Sequence, residues 1–168
     1  MDAPADLRAL LLLLADRQID FVVVGGIAAV LNGVPLATFD LDVVHCRSED
    51  NVERIVALLE LLDASSRLHP KRDALRPGSD ALAGPGHQLL RTSLGPLDLL
   101  GTVEGGLSYE DLLPLSEKIA LEGRSIRVLT LPALADLKKN ASHPKDQLSR
   151  LLILETIEAL KGNDYPDR

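Results

Sequence analysis

The sequence predicts an α+β fold, a mixed β-sheet flanked by helices with further helices at the C-terminus. Three observations lead there. Two short runs dominated by β-branched and aromatic residues, Asp20–Val24 and Thr38–His45, read as strands near the front of the chain. Two strand pairs follow in the middle, one around His87–Ser93 and Pro96–Leu100, the other formed by Glu117–Leu121 and Ile126–Leu129 across Glu122-Gly123. The end of the chain then takes on helical periodicity. With 168 residues, 46% of them hydrophobic, the chain can bury a core of its own. The expectation is a single domain over 1–168, with its core at about 18–130 and a helical part at 131–161.

The elements follow in order. Leu7, Leu10, Leu11 and Leu14 share one stripe and predict an amphipathic first helix. Asp20–Val24 is a buried strand, broken by Gly25-Gly26 and followed by a short helix over Ile27–Leu31, which Asn32-Gly33 and Pro35 stop. Thr38–His45 is the second strand. Ser48 can cap a helix whose Val52, Ile55, Val56, Leu59 and Leu62 lie on one face. From Ser65 to Gly86, proline and glycine recur and order weakens, which predicts a long loop with one short strand or helical turn. After the two strand pairs, helices are expected at Leu131–Asn140 and Asp146–Lys161.

Composition excludes several functions. Thirty-six leucines stand against four aromatics (Phe21, Phe39, Tyr109 and Tyr165) and no tryptophan, so an aromatic platform for stacking bases is not available. A net charge of −7 argues against an extended basic surface tracking a nucleic-acid backbone. The longest apolar run, Ala9–Ala15, is far below the roughly 20 residues of a spanning helix, so no membrane association is expected. Cys46 is the single cysteine, which fits a reducing cytoplasm. The four histidines, His45, His69, His87 and His143, are dispersed without metal-ligand spacing and read as surface or loop residues.

Phe39-Asp40-Leu41-Asp42-Val43 is the most informative segment. In a strand, Asp40 and Asp42 share one face while Phe39, Leu41 and Val43 share the other. Burying the apolar face aims both carboxylates the same way, and aspartate is disfavoured in strands without a reason. A cation that prefers oxygen ligands, Mg²⁺ above all, would relieve the repulsion. Leu97-Asp98-Leu99-Leu100 repeats the device. If the two strands are neighbours, Asp98 completes a three-carboxylate site of the kind that holds two metal ions. Gly25-Gly26, between a strand and a helix, can present backbone N–H groups to a phosphate chain. Neither a Walker A loop nor G-x-G-x-x-G is present.

Taken jointly, Val24-Gly25-Gly26, Thr38-x-Asp40-Leu41-Asp42 and Leu97-Asp98-Leu99 resemble the polymerase-beta-like nucleotidyltransferase superfamily. The chain is most similar to its minimal bacterial members, including the toxins of abortive-infection (type IV) toxin–antitoxin systems. Gly25-Gly26-Ile27-Ala28, Gly33-Val34-Pro35 and the later His143-Pro144-Lys145-Asp146 carry the likeness, which covers about residues 18–155. The resemblance implies a nucleotidyltransferase-type sheet and Mg²⁺-dependent transfer of a nucleoside monophosphate from an NTP to a hydroxyl acceptor: a tRNA end or other RNA, a protein or a small molecule. It implies Asp40, Asp42 and Asp98 as catalytic metal ligands with two ions. It further implies Gly25, Gly26, Thr38 and Lys138 as nucleotide-binding residues, and a cognate antitoxin as a partner. Two positions depart from the family pattern. Leu36 stands where relatives carry arginine, and Gly26 where many carry serine. The alternative is a catalytically degenerate nucleotide-binding or partner-binding module of the same fold. A small basic patch of Lys71, Arg72 and Arg76 could touch an acceptor such as a tRNA end, but a solvated loop is the simpler reading.

Overall fold

The structure, a computed structural model, describes residues 4–68 and 75–162. Its centre is one seven-stranded mixed sheet. The strands are β1 (Phe21–Val24), β2 (Leu41–His45), β3 (Ser65–Ser66), β4 (His87–Thr92), β5 (Gly95–Leu100), β6 (Ser116–Leu121) and β7 (Arg124–Leu129), in the spatial order β3-β4-β5-β2-β1-β7-β6. β2 runs antiparallel to β1 and parallel to β5, and β1 runs parallel to β7. Hairpins β4–β5 and β6–β7 extend the sheet on either side.

The central strands are apolar because both of their faces are covered. All four residues of β1 are buried, as are Leu41, Val43 and Val44 of β2 and Leu97 and Leu99 of β5. Helix α1 (Leu7–Asp16) buries Leu10, Leu11 and Leu14, and its first turn is capped by Asp6, whose side chain accepts from the Ala9 N–H at 2.9 Å. Ser48 caps α3 (Glu49–Leu61) as expected, and Val52, Ile55, Leu58 and Leu59 enter the core. The β6–β7 turn places Glu122 (φ 47°) and Gly123 (φ 79°) both in the left-handed region, which suits the right-handed twist of a two-residue hairpin.

Several expectations are corrected. The second strand begins at Leu41 rather than Thr38, and Phe39 is 76% exposed instead of sharing the buried face of Leu41 and Val43. Strand geometry begins only at Leu41, because the chain that pairs with β2 ends its strand at Val24 and turns into a helix at Gly25. The first glycine pair belongs to helix α2 (Gly25–Leu31), which therefore starts two residues early. The weakly ordered stretch holds both a strand, β3, and a helix, α4 (Ser79–Ala83). Lys71, Arg72 and His69 lie outside the described residues. A short helix, α5 (Tyr109–Leu112), closed by a capping box between Ser108 and Asp111, went unread because it spans a single turn. Helix α6 (Leu131–Leu137) ends earlier than Asn140, and α7 runs over Pro144–Gly162. His45 is buried rather than superficial, its Nε2 bonded to the Leu82 carbonyl at 2.7 Å.

Candidate active site

The site grows out of strand alternation. Leu41 and Val43 are fully buried, so Asp42 between them must face the other way. Leu97 and Leu99 do the same for Asp98. The parallel register sets Leu41 opposite Leu97 and Asp42 opposite Asp98, so the two carboxylates stand on one face of adjacent strands. Asp40 arrives from the turn before β2, where the Thr38 hydroxyl donates to the Asp40 carbonyl at 3.3 Å. One oxygen from each of Asp40, Asp42 and Asp98 lies within 4.8 Å of the other two. Residues 58 positions apart thus form one cluster, half-buried at Asp40 and Asp42 and buried at Asp98.

Such crowding is unfavourable for three charges. Burial, a hydrogen bond to Asp98, and the charges of Asp40 and Asp98 push the Asp42 carboxyl up to about 8. Arg67, which sequence reasoning missed, opposes this. Its Nη2 lies 2.7 Å from Asp98 Oδ1, while Nη1 donates to the Leu90 carbonyl at 2.7 Å. The signal for it lies in the strand register. The Arg67 N–H bonds to the Leu89 carbonyl, and Leu89 stands opposite Asp98, so Arg67 reaches the carboxylate across one strand.

The glycine pair fits against these carboxylates. Gly25 has φ 66°, and a Cβ there would collide with Asp42 Oδ2. At Gly26, a Cβ would sit 2.6 Å from Thr38 Oγ1. Gly26 is therefore matched to Thr38, and a serine at this position would need Thr38 to move. No side chain caps the start of α2, so its first N–H groups remain open.

A cleft of about 200 Å³ joins these groups to the C-terminal helix. Gly25, Gly26, Thr38, Asp40 and Asp42 line one side, with Lys138, Lys145, Asp146 and Ser149 on the other. Leu36 is in the wall as well. Lys138 Nζ lies 3.0 Å from Asp146 Oδ1, and that hydrogen bond holds the Asp146 carboxyl below its ordinary range. Lys139 turns instead toward Asp136, at 3.7 Å. A second cleft of about 230 Å³ shares Gly25, Asp42, Lys138 and Asp146, and its remaining wall is largely aliphatic, with Leu100, Val103, Leu134 and Leu137. All seven expected site residues therefore gather at one end of the β1–β2–β5 strands. Of the basic loop residues, Arg76 is engaged elsewhere, with Asp63 and the Ala64 carbonyl.

The donor set fits a hard divalent cation. Three carboxylates converge with one arginine nearby, leaving net negative charge on the cluster. Asp98 Oδ1 is buried, and although Arg67 is close, the contact is not aligned as a hydrogen bond, so a lone pair stays open. Carboxylate oxygens with an unfilled acceptor suit Mg²⁺ better than thiolate- or imidazole-preferring metals.

No protein-family model and no curated protein matches the chain. Among solved structures, it is similar to the crystal structure of a "putative nucleotidyltransferase" from Thermotoga maritima, with a TM-score of 0.54 and 19% identity over 94% of this chain and 92% of that one. The two share a fold of the nucleotidyltransferase type.

Proposed function

We propose that the protein is a Mg²⁺-dependent nucleotidyltransferase that moves a nucleoside monophosphate from an NTP to a hydroxyl acceptor. The observation that carries this reading is the convergence of Asp40, Asp42 and Asp98 beside an open glycine-lined helix start. The three carboxylates would hold Mg²⁺, up to two ions, which when bound would neutralise the triphosphate and polarise its α-phosphoryl group. Gly25 and Gly26 N–H groups would bind the outer phosphates at the start of α2, which no side chain caps. Thr38 fixes the turn that aims Asp40. Lys138, released from Asp146, would meet the charge that grows on the leaving pyrophosphate. The acceptor oxygen bonds to the α-phosphorus, the bond from that phosphorus to the bridging oxygen breaks, and Asp98 takes the hydroxyl proton. Positioning and electrostatics supply most of the rate enhancement in such transfer.

The aliphatic wall of the cleft beside Asp42, with Leu100, Val103, Leu134 and Leu137, offers the base apolar contact area, which supports weak discrimination among bases. The sequence likeness to toxin enzymes supports a role in a cytoplasmic toxin–antitoxin pair. A second reading, a module that binds nucleotide without turnover, draws on Leu36 in the cleft wall, where an arginine would have met phosphate. Thermal shift with each NTP, with and without Mg²⁺, tests nucleotide binding. Stabilisation that needs both together supports the proposal. Identical melting curves in every condition would remove it.

A further inference from the structure

A further cleft, of about 550 Å³, opens beside the carboxylates on the β3–β4–β5 side. Arg67, Arg91, Thr92, Ser93 and Pro96 are among its lining residues. Cross-strand register explains why two arginines meet there. Arg91 stands opposite Pro96 on β5 and Ser65 on β3, two residue pairs along from the Leu89–Asp98 pair. Alternation then turns Arg91, Pro96 and Asp98 to the same face of the sheet. Arg67 belongs to the next row and touches Asp98 directly, at 2.7 Å. Arg67 therefore joins the cleft, which two guanidinium groups line, to Asp98, the carboxylate that would take the acceptor's proton. Neighbouring strands lie about 4.8 Å apart, so Arg91, one strand beyond β5, is within reach of a group attached next to the reacting hydroxyl.

The chemistry of this wall is selective. Two arginines with the Ser93 hydroxyl suit a phosphate, whose oxygens accept several fork-like N–H donors at once, while the Thr92 hydroxyl is held in the β4–β5 turn by its bond to the Gly95 carbonyl at 2.7 Å. Arg67 lies against Asp98 as an ion pair and donates one N–H to the Leu90 carbonyl, which leaves most of its five-donor fork for a ligand. The cleft lies apart from the glycine-lined one that would take the triphosphate, with no lining residue in common.

We infer that this cleft is the acceptor subsite and that the acceptor carries a phosphate next to its reactive hydroxyl, bound between Arg67 and Arg91. The inference rests on the nucleotidyltransferase reading for the role of Asp98, but the phosphate site itself can be measured without turnover. The same chemistry occurs at the 3′ end of an oligoribonucleotide and in a free nucleoside 5′-monophosphate.

The test is fluorescence anisotropy of a 5′-labelled oligoribonucleotide with a free 3′-hydroxyl on the full chain, competed with nucleoside 5′-monophosphate or with the matching nucleoside. The monophosphate should displace the probe at concentrations at least tenfold lower than the nucleoside. Arg91→Ala should weaken probe binding about tenfold, Arg91→Lys should recover most of it, and circular dichroism should show both variants folded. Affinity that rises with oligonucleotide length and falls steeply with salt assigns the site to a nucleic-acid end. Equal affinity for oligonucleotide and monophosphate assigns it to a small phosphorylated acceptor. Equal competition by nucleoside and monophosphate, or binding that Arg91→Ala leaves unchanged, overturns the inference. In parallel, Mg²⁺–NTP stabilisation of the wild-type chain reads the nucleotidyltransferase proposal separately, so one can fail while the other stands.

Discussion

Asp42 is a carboxylate held where burial and two neighbouring carboxylates oppose its charge. Its pKa of about 8 lies above the 3.8 of an exposed aspartate, so the folded, metal-free chain keeps a proton that the unfolded chain has released. The contribution of Asp42 to the stability of the metal-free protein therefore falls as pH rises from about 4 to 8, and levels off above that. Asp42→Asn removes the conflict. Differential scanning calorimetry in chelator at pH 8.5 should place the variant at least about 3 °C above wild type, with the gap closing near pH 4. Mg²⁺ should likewise stabilise wild type more at pH 8.5 than at pH 6, and should not stabilise Asp42→Asn. Gly25 shows the opposite dependence on a side chain. Gly25→Ala adds a Cβ at φ 66° directly into Asp42, and the left-handed backbone alone costs about 1–2 kcal/mol. A lower melting temperature together with lost nucleotide-dependent stabilisation is the expected outcome.

At the scale of elements, α3 is fastened to the sheet by one buried polar residue. Asn51 accepts from the Asp20 N–H at 2.8 Å and donates to the Asp20 and Cys46 carbonyls at 3.1 and 2.7 Å. It thereby ties the entry to β1 and the exit from β2 to the helix start, while Ile55, Leu58 and Leu59 supply the apolar contact. Asn51→Ala removes three hydrogen bonds and leaves the Asp20 N–H and the Cys46 carbonyl without that partner, while the Asp20 carbonyl keeps the Cys46 N–H at 3.0 Å; it should cost about 2 kcal/mol in urea unfolding. The strands and long helices were legible because their periodicity follows from burying one face, and the β1 and β2 assignments needed only β-branched runs. Asn51 was not, because its bonds join backbone groups distant in sequence. The same holds for β3, two residues long, and for the start of β2, where Phe39 fits the alternation but has no partner strand to hold it in the sheet.

Over the whole molecule, the candidate site was partly written in the sequence and partly in the topology. Asp40, Asp42 and Asp98 stood out as carboxylates among apolar neighbours, and their meeting depended only on β2 and β5 being adjacent. Arg67 and Arg91 carry no such mark. They become visible when β3 and β4 join that sheet and set them in rows beside Asp98. The overall charge of −7 conceals this local basic wall. Among the described residues, no helix is long and apolar enough to cross a membrane. The aliphatic character of the chain continues into the cleft beside Asp42, where rings are scarce and leucines form the wall.

The central claim is that three carboxylates, two from adjacent strands and Asp40 from the turn before β2, act as one nucleotidyl-transfer site. Pyrophosphate release measured with Mg²⁺, each NTP labelled at the α-phosphate, and a mixture of RNA and protein acceptors tests it most directly. The account predicts pyrophosphate release with label appearing on an acceptor, both lost in chelator and reduced at least a thousandfold in Asp42→Asn. Transfer by Asp42→Asn at the wild-type rate, or no release by the wild-type chain with any NTP, would contradict it.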